Sequence, residues 1–444
     1  MATDLHLQDA LARDGLRWLF TGDSITHGAL HTLGYRSWTQ LVAAHLQDVL
    51  GRNDVVLNTA ISGDTVISWP VPEGMDTRGV LTTAAERVHA PRPDIVAVMI
   101  GMNDSALGVD LEQYTAALTE LVAQVRSRGA VPILATSQPI HGVDERRLDY
   151  PEYIQRVRDV ADAQQVTLVD TFAHWEAGEL GQLEALYGDA IHPAPAGHRH
   201  FAQQFLTELG LLGPDAPLAR ADREPRAGLD PAAFGEEVPT EAAAEAGAEE
   251  SDAAVAPVVG FSPVGVEPER SRPLLVLGDV RPLARPVGGH MPTRSWIEHL
   301  EEVRRFELGH VRDYVWSIPL PSLAEAPAWL AGEQALPYAA VLLVPGPADA
   351  GGETLRTALA AIGDGAASAV VVRPGADGPT DPGAAVIDLR DLAVEGSAPE
   401  GLAGEIDPAG AQADLEAGRR VAAALGWSAP PSGAVARLQA LAEA

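Results

Sequence analysis

Apolar positions between residues 16 and 212 alternate between two rhythms. Short apolar runs predict strands: LRWLF (16–20), DVVLN (54–58), DIVAVMI (94–100), VPILATS (131–137) and VTLVDT (166–171). Between them the spacing changes to three and four. Trp38, Leu41, Val42, Leu46, Val49 and Leu50 share one helical face that Gly51 ends, and Leu111, Tyr114, Leu118, Leu121, Val122 and Val125 share another. Strands that are apolar almost throughout, alternating with helices, predict a parallel sheet covered on both faces. Ligands of such sheets sit at the carboxyl ends of the strands.

From about Pro214 to Arg272 the rhythm dissolves into Ala, Glu, Pro and Gly. Residues 236–256 carry seven acidic side chains and no basic one, which fits a solvated linker, although the Ala/Glu part is compatible with helix. Order then returns. LLVLGDVRPLA (274–284) reads like WLFTGDSITHG (18–28), setting Gly278 and Asp279 against Gly22 and Asp23. Arg294, Ser295 and Trp296 repeat Arg36, Ser37 and Trp38. Residues 340–350 parallel 97–106, residues 385–389 parallel 167–171, and residues 406–426 follow the shape of 191–210. Five similarities in one order predict an internal duplication. The alternative is an unrelated α/β domain with strands of similar composition. The expected boundaries are a first α/β domain at 1–213, a linker at 214–272, a second α/β domain at 273–428 and a C-terminal helical tail at 429–444.

Composition narrows the chemistry. A chain of 444 residues exceeds what one core usually supports, in keeping with two domains. No apolar run approaches the roughly 20 residues of a membrane helix. The start, MATDLHLQDALARDG, is acidic and lacks a continuous apolar stretch, so a soluble, cytoplasmic protein is expected. Cysteine is absent, which excludes disulfides, thiolate metal sites and a thiol nucleophile, and directs attention to serine. The formal charge is −31 and all 31 Lys+Arg residues are Arg. That field repels nucleic acid and anionic membranes, so neither is expected as a partner, and the acidity is read as serving solubility.

The sharpest motif is GDSIT (22–26), between an apolar strand and an amphipathic helix. A serine on that turn projects from a strand's carboxyl end, where developing negative charge is favoured. Alone, the triplet would read as a helix N-cap. ISGDT (61–65) follows the second strand, GMND (101–104) the third, and DAIHP (189–193) precedes the last helix of the first half. This ordered set resembles the blocks of the GDSL/SGNH hydrolase family and covers the N-terminal half of the chain. The resemblance implies a three-layer α/β/α fold with a five-stranded parallel sheet, flavodoxin-like in type. It also implies an ester or related acyl bond as substrate.

The residue chemistry is consistent with it. Ser24 is a weak nucleophile until a base takes its proton, and His192 is suited to that task near neutral pH. Asp189, three residues earlier, can reach the imidazole Nδ1 through a turn and fix its tautomer, with Pro193 holding the loop. The plainer alternative for DAIHP is a turn entering a helix. The family pattern further assigns an oxyanion hole to the Ser24 and Gly63 backbone N–H groups and the Asn103 side chain. Asp104 is expected to brace its loop, Asp23 to support the turn, and His27 and His31 to line a pocket. His198 and His200 face apart on a helix, so no metal is expected, and no organic cofactor is implied. Residues 64–79, with Trp69 and Met75, read either as a rim over the site or as an ordinary surface loop.

The second copy sets Val280 against Ser24, Ala348 against Asn103 and Asp407 against His192. It has no glycine between His310 and Ala331, where a Gly63 counterpart belongs. It is therefore expected to be a degenerate, SGNH-like pseudo-hydrolase domain packed on the active one. The favoured function is a serine esterase or deacetylase acting on a small acylated metabolite or carbohydrate through an acyl-enzyme. An acyltransferase using the same intermediate and a non-catalytic scaffold are the alternatives.

Overall fold

The computed structural model describes residues 5–28, 32, 34–71, 77–220, 274–284, 293–303, 315–333, 338, 340–349, 352–362, 367–376, 385–394 and 407–426. His31, Met75, residues 221–272 of the expected linker and the expected tail at 429–444 lie outside them.

The first unit opens with α1 (Leu5–Leu11) and a sheet of β1 (Arg17–Gly22), β2 (Val55–Asn58), β3 (Ile95–Met99), β4 (Val131–Thr136) and β5 (Thr167–Asp170). Its order is β2-β1-β3-β4-β5 and every pairing is parallel, as the unbroken apolar runs predict. The β3 residues are all buried, because helices cover both faces. These helices are α2 (Ser24–His27), α3 (Trp38–Ala44), α4 (Met102–Leu107), α5 (Leu111–Ser127), α6 (Tyr150–Gln164), α7 (Thr171–Ala177) and α8 (Pro195–Glu208). Phe20 of β1 meets Trp38 of α3 edge-on at 5.1 Å and Phe205 of α8 at 5.3 Å, which fastens β1 to two helices. The chain reverses its direction of travel across the sheet between β1 and β3, the place where open parallel sheets leave a crevice.

One expectation fails locally. The helix from Trp38 continues past Ala44 as a π-helical turn, His45–Val49. The wider turn rotates the stripe, so Val49 and Leu50 are exposed rather than on the buried face.

The second unit comprises β6 (Leu274–Gly278), α9 (Trp296–Glu302), β7 (Val315–Pro319), α10 (Ala326–Glu333), β8 (Ala340–Val344), α11 (Glu353–Ile362), β9 (Ala367–Val372), β10 (Ala385–Asp388) and α12 (Pro408–Ala424). Its sheet runs β7-β6-β8-β9-β10, again entirely parallel and in the same order of succession as the first. The two glycines of the repeated GD pair share one cause. A Cβ on Gly22 would lie 1.9 Å from the Met99 carbonyl oxygen, and one on Gly278 would lie 2.2 Å from that of Val344. Each glycine lets its strand end press against the neighbouring strand, irrespective of any reaction.

The two units touch through equivalent segments. Tyr35 and Thr293, each immediately before the repeated Arg-Ser-Trp, form an antiparallel bridge with one another. The Arg294 N–H donates to the Gly34 carbonyl at 2.9 Å, and Arg36 pairs with Glu298 at 3.1 Å. The edge strands β2 and β7 lie side by side, and Leu57 is buried in the apolar cluster of the second unit.

Candidate active site

Ser24 is the first residue of α2, directly after the end of β1. Asp23 caps that helix by accepting the Ile25 N–H at 3.0 Å. Burial pushes the Asp23 carboxyl up to about 7, against the pull of that N–H and with the help of the nearby Asp64 charge. The Ser24 Oγ lies 2.9 Å from His192 Nε2, and His192 Nδ1 lies 2.7 Å from Asp189 Oδ2. The other oxygen of Asp189 accepts the Ile191 and His192 backbone N–H groups at 2.8 and 2.7 Å. The Asp-x-x-His spacing thus closes a turn in which both carboxylate oxygens are engaged and the imidazole has a fixed orientation. His192 and Ser24 are buried, whereas the Asp189 side chain is 38% exposed.

Long-range contacts hold that turn in place. Gln138, just past β4, donates to the Ile191 carbonyl, and His141 donates its N–H to the Ala190 carbonyl at 2.8 Å. Tyr187 bridges to Pro193, and α8 begins two residues later.

The candidate oxyanion donors lie on α2, on the 61–65 loop and on α4. Ile61 donates to the Gly22 carbonyl at 3.0 Å, which ties the 61–65 loop to the end of β1. Asn103, in the first turn of α4, donates one amide hydrogen to the Asp64 carbonyl at 3.0 Å. The backbone N–H groups of Ser24 and Gly63 donate to no acceptor among the described residues, and Asn103 has a second amide hydrogen. Gly63 has a φ of +75°, and a Cβ there would meet nothing within 4 Å.

Acidic side chains underpin this loop. Asp104 accepts the Val66 N–H at 2.9 Å, the bracing contact expected of it, and burial raises its carboxyl well above the usual range. Asp64 forms a buried ion pair with Arg87 at 2.5 Å and accepts the Gly79 N–H at 2.7 Å. Arg87 also donates to the Thr59 carbonyl at 2.8 Å. The sequence marks this pair only by the acidic residue of ISGDT. His27, the last residue of α2, lies 3.0 Å from the Ser62 hydroxyl and so links the serine helix to the glycine loop.

Other candidates fall elsewhere. His198 Nδ1 accepts the Trp38 N–H at 3.3 Å, and the His200 ring stands beside Trp175. Trp69 donates to the Leu107 carbonyl at 3.1 Å, which anchors the first part of the 64–79 segment to α4; residues 72–76 lie outside the described residues.

In the second unit, Val280 follows Asp279 where Ser24 follows Asp23. Leu320 donates to the Gly278 carbonyl as Ile61 does to that of Gly22. Two residues on, Ser322 has a φ of −151° where Gly63 is left-handed, and its hydroxyl donates to Asp349 at 2.7 Å. The alignment of Asp407 with His192 needs correction. Asp407 is the N-cap of α12, the place Ala194 holds at α8, so the residue opposite His192 would be Glu405, outside the described residues. A cavity of about 630 Å³ lies between the units, lined by Asn58, Asp279, Trp316 and Ala348 among others, and it includes neither Ser24 nor His192.

Residues 20–200 match the family model described as GDSL-like Lipase/Acylhydrolase family. The chain is 31% identical over 219 residues to an acetylxylan esterase of Geobacillus stearothermophilus, covering 44% of this chain and 95% of that relative. It is 30% identical over 179 residues to Esterase TesA of Pseudomonas aeruginosa, covering 40% and 80% respectively. A crystal structure of an acetylxylan esterase from Geobacillus stearothermophilus aligns at 30% identity over 44% of this chain and 95% of that one, with a TM-score of 0.38. Among the described residues, no helix is long and apolar enough to cross a membrane.

Proposed function

The chain belongs to the GDSL-like lipase/acylhydrolase family, and from that premise we propose that it is a carboxylic ester hydrolase whose first unit carries a Ser24–His192–Asp189 triad. The observation that carries this reading is the unbroken line of hydrogen bonds from Asp189 through His192 to Ser24. His192 Nε2 takes the hydroxyl proton as Ser24 Oγ bonds to the acyl carbon, and Asp189 holds the Nδ1 proton and the imidazolium that forms. The tetrahedral oxyanion is held by the Ser24 and Gly63 N–H groups and by Asn103 Nδ2. His192 returns the proton to the departing alkoxide, leaving an acyl-Ser24. Water, deprotonated by the same imidazole, then releases the acid.

The substrate is a small acyl ester, with an acetylated carbohydrate foremost. The acetylxylan esterase relative, aligned over nearly its whole length, supports that choice. The second unit is a descendant of the same fold that has lost the reaction; the shared strand order and the paired Arg-Ser-Trp segments support this.

The test is release of acetate from p-nitrophenyl acetate and from acetylated xylo-oligosaccharides, by the wild type and by Ser24→Ala. Equal rates would refute the reading, and transfer of the acetyl group to an added alcohol in preference to water would reassign the enzyme as an acyltransferase.

A further inference from the structure

The short helix that bears Ser24 ends under a side chain from the other unit. Gly28 closes α2 in a left-handed conformation, and its N–H returns to the Ser24 carbonyl at 3.0 Å. The Gly28 carbonyl accepts Arg294 Nη2 at 3.3 Å, and the same nitrogen donates to the Thr32 hydroxyl at 2.6 Å. Arg294 is 3% exposed, and its other terminal nitrogen is held by Glu302 of α9. Its backbone N–H meets the Gly34 carbonyl at 2.9 Å. The opposite flank of the turn has no slack, since a Cβ on Gly28 would lie 2.4 Å from that of Ser37.

We propose that Arg294 is a positioning residue for the ester-hydrolysing site, supplied by the unit that has no reaction of its own. The proposal rests on the esterase reading for its kinetic half only. One planar guanidinium ties the end of the serine helix and Thr32, through Nη2, to Glu302 of α9, through Nη1, and lysine cannot reproduce this two-nitrogen geometry with a single ammonium group. The Ser24 Oγ must keep its 2.9 Å relation to an imidazole carried by a separate loop, so a small drift of α2 separates the pair. The repeat explains how the arginine came to be there: Arg36, its counterpart, reaches across the same interface to Glu298 and leaves Gly28 alone. The second unit thereby has a role in the reaction of the first without a catalytic group.

The experiment compares full-length wild type, Arg294→Ala, Arg294→Lys, Thr32→Val and Arg36→Ala by amide hydrogen exchange and by p-nitrophenyl acetate kinetics. In Arg294→Ala, exchange across residues 24–28 and 34–36 is expected to quicken by about tenfold or more while β3 and α5 keep their protection. Its kcat should fall by about tenfold or more with KM within about threefold. Arg294→Lys should recover part of the loss, and Thr32→Val, which leaves the arginine in place, should shift both readouts in the same direction as Arg294→Ala. Arg36→Ala should leave kcat near the wild-type value.

Unchanged protection of residues 24–28 and 34–36 in the Arg294 variants would overturn the proposal, and that result does not depend on any ester being turned over. Faster exchange with unchanged kcat would reduce Arg294 to a structural contact, as would an equal loss of kcat in Arg36→Ala. An inactive wild type would instead refute the esterase reading and leave exchange to decide whether the clamp exists.

Discussion

The hydroxyl of Ser24 and the Nε2 of His192 lie 2.9 Å apart, although 168 positions separate the two residues in the chain. A proton can pass directly along that contact. Ser24→Ala and His192→Ala should each reduce kcat for p-nitrophenyl acetate by at least about 1000-fold, with unfolding midpoints close to the wild type. Retention of more than a tenth of the rate by either variant would exclude the proposed triad.

Asn103 offers a more selective probe, because it takes no part in proton transfer. Asn103→Ala removes one of the proposed oxyanion donors and should cost about 100 to 1000-fold in kcat with a smaller change in KM. A change confined to KM would mean that the amide binds the ground state only.

The buried pair of Asp64 and Arg87 makes a prediction about stability. Arg87→Met leaves the Asp64 carboxylate in a fully buried site with its guanidinium partner gone. Chemical denaturation should show a loss of about 3 to 5 kcal/mol. A loss below about 1 kcal/mol would mean that the loop relaxes to let water reach Asp64.

Asp23 should make stability depend on pH. Its carboxyl is raised to about 7, so between the ordinary carboxyl range near 4 and that value the folded protein keeps a proton the unfolded chain has released. Stability conferred by this group is therefore complete below that window, declines as pH rises through it, and is level above. Asp23→Asn keeps an oxygen for the Ile25 N–H and removes the titration. From about pH 4 to about pH 8 the variant should gain on the wild type in urea denaturation, by on the order of 4 kcal/mol in all. Parallel stability curves would show that the carboxyl is not held protonated.

Gly278 separates packing from chemistry. Gly278→Ala drives a methyl group to 2.2 Å from the Val344 carbonyl oxygen in a unit with no serine at that turn. It should destabilise the protein by more than about 2 kcal/mol, read as a fall in the thermal midpoint. A neutral outcome would return the glycine of the GD pair to a purely functional explanation.

The first sheet was legible in the sequence because parallel strands buried on both faces must be apolar throughout, as Ile95–Met99 are. Ser24, Gly63, Asn103, Asp189 and His192 were legible because each stands in a short motif at a strand or helix end. The supports were not. Gln138 and Arg87 act by donating to backbone carbonyls far along the chain, at Ile191 and Thr59, and nothing in their immediate neighbours marks those contacts. The exposure of Val49 and Leu50 depends on one wide helical turn that leaves the apolar spacing unaltered. The shift at Asp407 arose because a helix N-cap and a loop imidazole both precede a similar Pro-Ala-containing stretch. The Arg294 clamp required knowing that two copies of one tripeptide meet.

The bridge between Tyr35 and Thr293 has a kinetic meaning. Two separate subunits joined through such a self-complementary seam would part on dilution, at a rate set by their affinity. Here both sides of the seam belong to one polypeptide, so reunion after any opening is unimolecular. Opening and reclosing of this seam, followed by amide hydrogen exchange, should therefore proceed at rates that do not change with protein concentration.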